Sequence, residues 1–246
     1  MEPITQYKHY VEIADVDASL HLRLPDLLNY MLHASAQGED ELGTGVEFMR
    51  KAYGAGWVLE RIAVQIDRLP LYHDTLVIQT WPTTVAHNMV FRAYELSIEH
   101  AGGLQPIGQA TGIWTIIDLQ TRGIAALPFA DGYLWTNHTS DRTVSLARLR
   151  HPTAIERVTH CLTHKIHYTD LDLNNHCNSA KYLQFMLNAC DVLTGVAPIQ
   201  IDLRYAHELG PEDTIAVEAE ATDNQVCYIL KTADGQLSCT AVMKAL

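Results

Sequence analysis

Apolar residues recur at every second position in some stretches and at helical spacing in others, and the order of these stretches repeats. Tyr7 to Ile13 alternate as a strand does. After Asp15-Val-Asp-Ala-Ser-Leu-His21, residues Leu24, Leu27, Leu28, Met31 and Ala34 mark one face of a helix, with Pro25 in its first turn and Gly43 as its stop. Four strand-like runs follow, Trp57 to Arg68, Thr75 to Trp81, Met89 to Ile98 and Gly108 to Asp118, with Ala101-Gly-Gly103 turning between the last two. From Pro128 to about His160 the pattern has no clear period and is locally basic. Then comes a strand near His164 to Thr169 and a helix from about Ala180, capped by Asn178 or Ser179, with Tyr182, Phe185, Met186 and Ala189 as its apolar face. Runs at Ile199 to Ala206, Thr214 to Ala221, Gln225 to Lys231 and Leu237 to Met243 complete the chain, the last pair joined by an Asp234-Gly235 hairpin signal.

The repetition extends to residues. Asp15 to Ser35 aligns without a gap on Asp170 to Cys190, an offset of 155, and Asp15, Asp17, His21, Leu28, Met31, Leu32 and Ala34 meet Asp170, Asp172, His176, Leu183, Met186, Leu187 and Ala189. Two amphipathic helices share apolar positions by chance, but not the Asp-x-Asp-x-x-x-His lead-in, so the chain reads as an internal duplication. Each unit is α+β, an antiparallel sheet covering one long helix. The expected division is residues 1–128, a linker over 129–160, and residues 161–246.

Composition narrows the function. At 246 residues and 48% hydrophobic, the chain can bury a full core. The N-terminus lacks an apolar h-region and no apolar run is long enough to cross a bilayer, so the expectation is a soluble cytoplasmic protein. The five cysteines are scattered, which argues against a disulfide framework and a zinc ribbon. A formal charge of −12 disfavours nucleic acid and anionic membrane as partners.

The candidate chemistry sits in Asp170 to Tyr182. Asp172, Asn174 and His176 alternate just ahead of the second helix, whose unpaired N–H groups favour a developing anion. The first copy has Asp17, Ser19 and His21 at these positions, and aligning Asp74-Thr75 on Asp213-Thr214 sets Glu208 opposite Leu69. The second copy is therefore expected to carry the chemistry and the first to serve as scaffold or substrate pocket. No metal or cofactor is expected. A calcium-loop pattern fails at Asn175 and Lys181, His164 and His167 would face opposite sides of a strand, and no G-x-S-x-G occurs. Cys177 beside His176 is read as a buried, inert thiol.

Tyr168 to Tyr182, followed by Leu203-Arg-Tyr-Ala-His-Glu208, closely resembles the catalytic half of the acyl-acyl carrier protein thioesterases, which are double hot-dog proteins. Trp57-Val-Leu-Glu-Arg61, Asp74 to Pro82 and Trp114 resemble their first half. The resemblance implies hydrolysis of a fatty acyl thioester to free acid and carrier thiol, with catalytic Asp172, Asn174, His176 and Glu208. Its acyl carrier protein partner bears the acyl chain on phosphopantetheine. Glu208 or Asp172 would activate water while Asn174 and His176 position the reactants. Leu209 stands where some members have cysteine, and Cys177 and Ser179 where valine and asparagine are usual. Tyr30, Met31 and Trp57 are expected to line an acyl tunnel, and Arg142, Arg148 and Arg150 to dock the acidic carrier. A homodimer is compatible with this reading. Two other classes stay open: a hydratase or dehydratase of acyl thioesters, whose glycine and proline are replaced here by Leu171 and Asn175, and a non-catalytic acyl-thioester binder.

Overall fold

The computed structural model describes residues 3–86, 89–125 and 139–246. The first unit contains β1 (Thr5–Tyr10), α1 (Leu24–Glu41), α2 (Val46–Tyr53), β2 (Ala55–Ile66), β3 (Thr75–Ala86), β4 (Met89–His100) and β5 (Gly103–Asp118). The second contains β6 (His160–Lys165), α3 (Ser179–Ala189), β7 (Ile199–Tyr205), β8 (Thr214–Ala221), β9 (Gln225–Thr232) and β10 (Leu237–Ala245). The first strand, expected over Tyr7 to Ile13, runs over Thr5–Tyr10 and is followed by a 3-10 turn at Ile13–Asp15; the strand expected near His164 to Thr169 likewise runs over His160–Lys165 ahead of a 3-10 turn at Tyr168–Asp170, and α2 has no counterpart in the sequence reading.

All strands join one antiparallel sheet in the order β1-β3-β4-β5-β2-β7-β10-β9-β8-β6. The second half mirrors the first about the β2–β7 seam, where Arg61 pairs with Arg204 and Ile66 with Ile199. Pairing the two edge strands with each other removes the exposed backbone donors that either unit would present alone. The helices lie on one face. Leu24, Leu27, Leu28 and Met31 of α1 meet Leu183 of α3 above Val64 and Ile66 of β2 and Ile201 and Leu203 of β7. One apolar core thus spans both units. No helix among the described residues is long and apolar enough to cross a membrane.

The duplication is visible in hydrogen bonds. Val11 N–H reaches Asp74 O in the first unit, and Ile166 N–H reaches Asp213 O in the second. His9 bonds Asp15 at 2.8 Å, and its counterpart His164 bonds Asp170 at 2.9 Å. That pair occurs in both units, so the His164–Asp170 contact belongs to the scaffold the two units share.

The opposite face of the sheet carries the described part of the connecting segment; residues 126–138 lie outside the described residues. Strand alternation turns Trp81, Glu95, Gln200, Asp202 and Thr240 away from the helices. The segment fastens to these side chains: Trp81 Nε1 donates to Arg142 O, Gln200 Nε2 to Ala147 O, and His151 Nδ1 meets Thr240 Oγ1 at 2.8 Å.

Candidate active site

Each unit holds the same tight turn between its 3-10 turn and its long helix. In the second, Asp172 Oδ1 accepts the N–H groups of Asn174 (2.8 Å) and His176 (3.2 Å), while Asp172 N–H reaches His176 O. In the first, Asp17 Oδ1 accepts those of Ser19 and His21, and Asp17 N–H reaches His21 O. Asn175 and Leu20 both sit at positive φ, 60° and 64°, to close the turns. The aspartate oxygen that makes these bonds builds the turn in both units, so its presence alone marks no chemistry. What differs in the turn is one side chain, the Asn174 amide where the first unit has the Ser19 hydroxyl, with a histidine at the end of both.

Glu208 enters from the segment after β7. Its neighbours are fixed: His207 O accepts from Tyr182 OH (3.3 Å) and Ser238 Oγ (2.6 Å), and Leu209 O accepts Cys177 N–H at 2.7 Å. The matching bond in the first unit is Leu22 N–H to Pro70 O, which places Leu69 where Glu208 stands. Glu208 Oε2 lies 3.7 Å from His176 Nδ1, longer than a direct hydrogen bond and suited to a shared water.

Asp172, Asn174, His176 and Glu208 all line one cleft of about 1540 Å³, its open mouth included. The other wall comes from the first unit: Asn29, Leu32, His33 and Ala36 of α1, Trp57 of β2, Trp114 of β5, and Arg122. Leu32, Ala36, Val46, Trp57 and Trp114 continue into a narrow inner pocket of about 60 Å³ that Val90, Arg92 and Glu39 also line. A polar mouth thus leads to an apolar interior.

Two residues of the first unit reach the polar groups. Arg50 Nη1 of α2 donates to Asn174 Oδ1 at 3.0 Å, and Arg122 Nη2 forms an ion pair with Glu208 Oε2. Sequence reasoning missed both, because contacts spanning 124 residues, as Arg50–Asn174 does, leave no local signature. Burial, with Arg122 second, lowers the pKa of His176 against the opposing pull of Asp172. Burial pushes the Cys177 thiol well up, with Asp170 and Asp172 adding to it, as an inert thiol requires.

The other expected site residues fall elsewhere, except Trp57. Met31 is fully buried in the core beneath α1, and Tyr30 OH donates to Asp15 Oδ1 at 2.7 Å. Neither lines the cleft; the periodicity that exposes a helix's buried face does not separate core from pocket, and here Leu32 and Ala36 occupy the pocket side. Arg142, Arg148 and Arg150 ride on the connecting segment, across the sheet from the cleft. Arg142 bonds Glu95 at 2.6 Å and stacks over Trp81. Arg148 and Arg150 are exposed on the same segment.

The fold and cleft together define a double hot-dog protein, two sheet-and-helix units sharing one asymmetric site. The profile of the acyl-ACP thioesterase N-terminal domain matches residues 3–129 and that of the C-terminal domain residues 155–244; the chain belongs to the acyl-ACP thioesterase family. It is 24% identical over 244 residues to a chloroplastic palmitoyl-acyl carrier protein thioesterase of Gossypium hirsutum, covering 94% of this chain and 57% of that protein. It thus spans little more than half the length of that curated relative. In fold it is similar to an acyl-ACP thioesterase from Bacteroides thetaiotaomicron (TM-score 0.84, 21% identity, 98% of this chain and 97% of that one). A 12:0-ACP thioesterase from Umbellularia californica is likewise similar (TM-score 0.86, 16% identity, 99% and 97%).

Proposed function

We propose that this protein hydrolyses fatty acyl thioesters borne on the phosphopantetheine of an acyl carrier protein, the second unit supplying the chemistry and the first the acyl pocket. The observation that carries this reading is the junction of Asn174, His176 and Glu208 at the mouth of a cleft whose interior is apolar. The relatives' names point the same way.

In this reading Glu208 is the base. Asp172 spends one oxygen on its turn, as Asp17 does, whereas Glu208 has no carboxylate counterpart in the first unit. A water between Glu208 and His176 attacks the thioester carbonyl as Glu208 takes its proton. The oxyanion is held by Asn174 Nδ2 and by the Ser179 N–H at the start of α3. Collapse of the tetrahedral intermediate breaks the C–S bond. An alkyl thiol has a pKa of about 8.5, so the sulfur departs as thiolate without a strong acid and regains a proton from Glu208.

Acyl-carrier substrate should release free thiol, detected with a disulfide dye, and Glu208→Gln should cut kcat by about 100-fold or more, the scale of a general base. A change in enoyl absorbance without thiol would replace this reading with a hydratase, and tight binding with neither signal would leave a binder.

A further inference from the structure

We infer that the first unit completes the catalytic set through two positioning residues, Arg50 acting on Asn174 and Arg122 acting on Glu208. This rests on the proposed roles of those two partners. It goes further in making the unit that has leucine in place of Glu208 a working part of the machinery.

The argument begins with what a guanidinium can do. Arginine carries donors and no acceptor, so the Asn174 atom that Arg50 touches is its carbonyl oxygen, and the amide NH2 is left to face the cleft. A free amide could turn either end toward a substrate carbonyl. Only the donor end stabilises an oxyanion, and Arg50 fixes that choice. Arg50 is placed by a short helix with a sharp stop: Gly54, at φ 61°, ends α2 by donating to Arg50 O and Met49 O.

Arg122 is placed more firmly still. It sits at the tip of the turn following β5, where Asp118 Oδ1 accepts the N–H groups of Gln120 and Thr121, and Asp118 O accepts that of Arg122. Its own φ is 61°, a left-handed conformation that costs a non-glycine residue free energy. The turn therefore holds an unfavourable backbone state while its side chain spans to the other unit. Meeting Glu208 Oε2 there, the cation fixes the direction of the oxygen that also lies 3.7 Å from His176 Nδ1. In the first unit's own cleft Leu69 replaces Glu208, and the arginine there, Arg23, pairs with Asp26 three residues along the same chain segment rather than across to the other unit.

The test is a pair of double-mutant cycles on the whole chain, with acyl-carrier substrate. Arg50→Ala and Arg122→Ala should each lower kcat by tenfold or more with KM changed by less than twofold. Arg50→Ala should cost nothing further in an Asn174→Ala background, nor Arg122→Ala in a Glu208→Gln background. Arg50→Lys and Arg122→Lys keep the cation and recover part of the rate, and they keep the test readable should an alanine form fail to fold. Losses that multiply through the cycles, or that fall on KM instead, overturn the inference in favour of direct contact with an anionic substrate. Wild-type rates in Asn174→Ala and Glu208→Gln would instead remove the site reading itself, and this inference with it.

Discussion

His176 takes its properties from charges on three elements: Asp172 in its own turn, Glu208 after β7 and Arg122 after β5. Burial and Arg122 hold its pKa below the ordinary value of about 6.5, so the neutral imidazole persists at pH values where a free histidine would be charged. The acid limb of the kcat/KM profile should therefore lie below about pH 6.5, and Arg122→Gln, which removes one of the two lowering influences, should move it upward. A limb that stays put in a pH–rate series of that variant would show that His176 is not the group being titrated. Cys177, one residue along, is buried and held protonated. Iodoacetamide should leave turnover unchanged, as a rate assay before and after treatment would show.

At the scale of elements, α1 divides its work between two stripes. Leu24, Leu27, Leu28 and Met31 build the core, while Leu32 and Ala36, one turn apart, border both the cleft and the inner pocket. Ala36→Trp should obstruct that passage, lowering kcat/KM for long acyl chains by tenfold or more and sparing short ones. A chain-length series with an unchanged profile would show that the acyl group does not pass there. The stripe pattern also shows what was legible in the sequence. The helix, its apolar face and the doubled Asp-x-Asp-x-x-x-His lead-in were readable because each is set by residues a few positions apart. The division of α1 into core and cleft sides was not, since both stripes satisfy the same period; Met31 falls on the core side and Tyr30 bonds Asp15, away from the cleft. For α2 the sequence carries a weak signal, Glu47 and Lys51 at i,i+4 spacing ahead of a Gly54 stop. Eight residues between glycines gave too short a run for periodicity to settle. Arg50 and Arg122 had no signal at all, because only the folded seam brings them to their partners.

For the molecule as a whole, the seam between the units is locked by one fully buried carboxylate. Asp202 of β7 accepts Arg61 of β2 at 2.8 Å and 2.6 Å and lies 3.2 Å from His151 of the connecting segment, so three parts of the chain meet on one charge. Burial works to raise its pKa, but the bonds from Arg61 and the nearby His151 outweigh that and hold it below the ordinary carboxylate value. Breaking such a pair leaves Arg61 uncompensated, and Asp202→Asn should cost about 3–5 kcal/mol in a denaturant titration. The sign with pH follows from the lowered pKa: the stabilisation is complete above about pH 4 and is lost as pH falls through the folded-state pKa. The gap between wild type and Asp202→Asn should narrow in acid, and a gap independent of pH would place the effect in packing rather than charge. The mirrored strand order has a last consequence, in stoichiometry. A symmetric pair of identical subunits would offer two equal clefts, whereas here one polypeptide closes the pair with unequal halves. A non-hydrolysable acyl analogue should saturate this protein at a single equivalent per chain, half the count that a homodimer of one such module would bind.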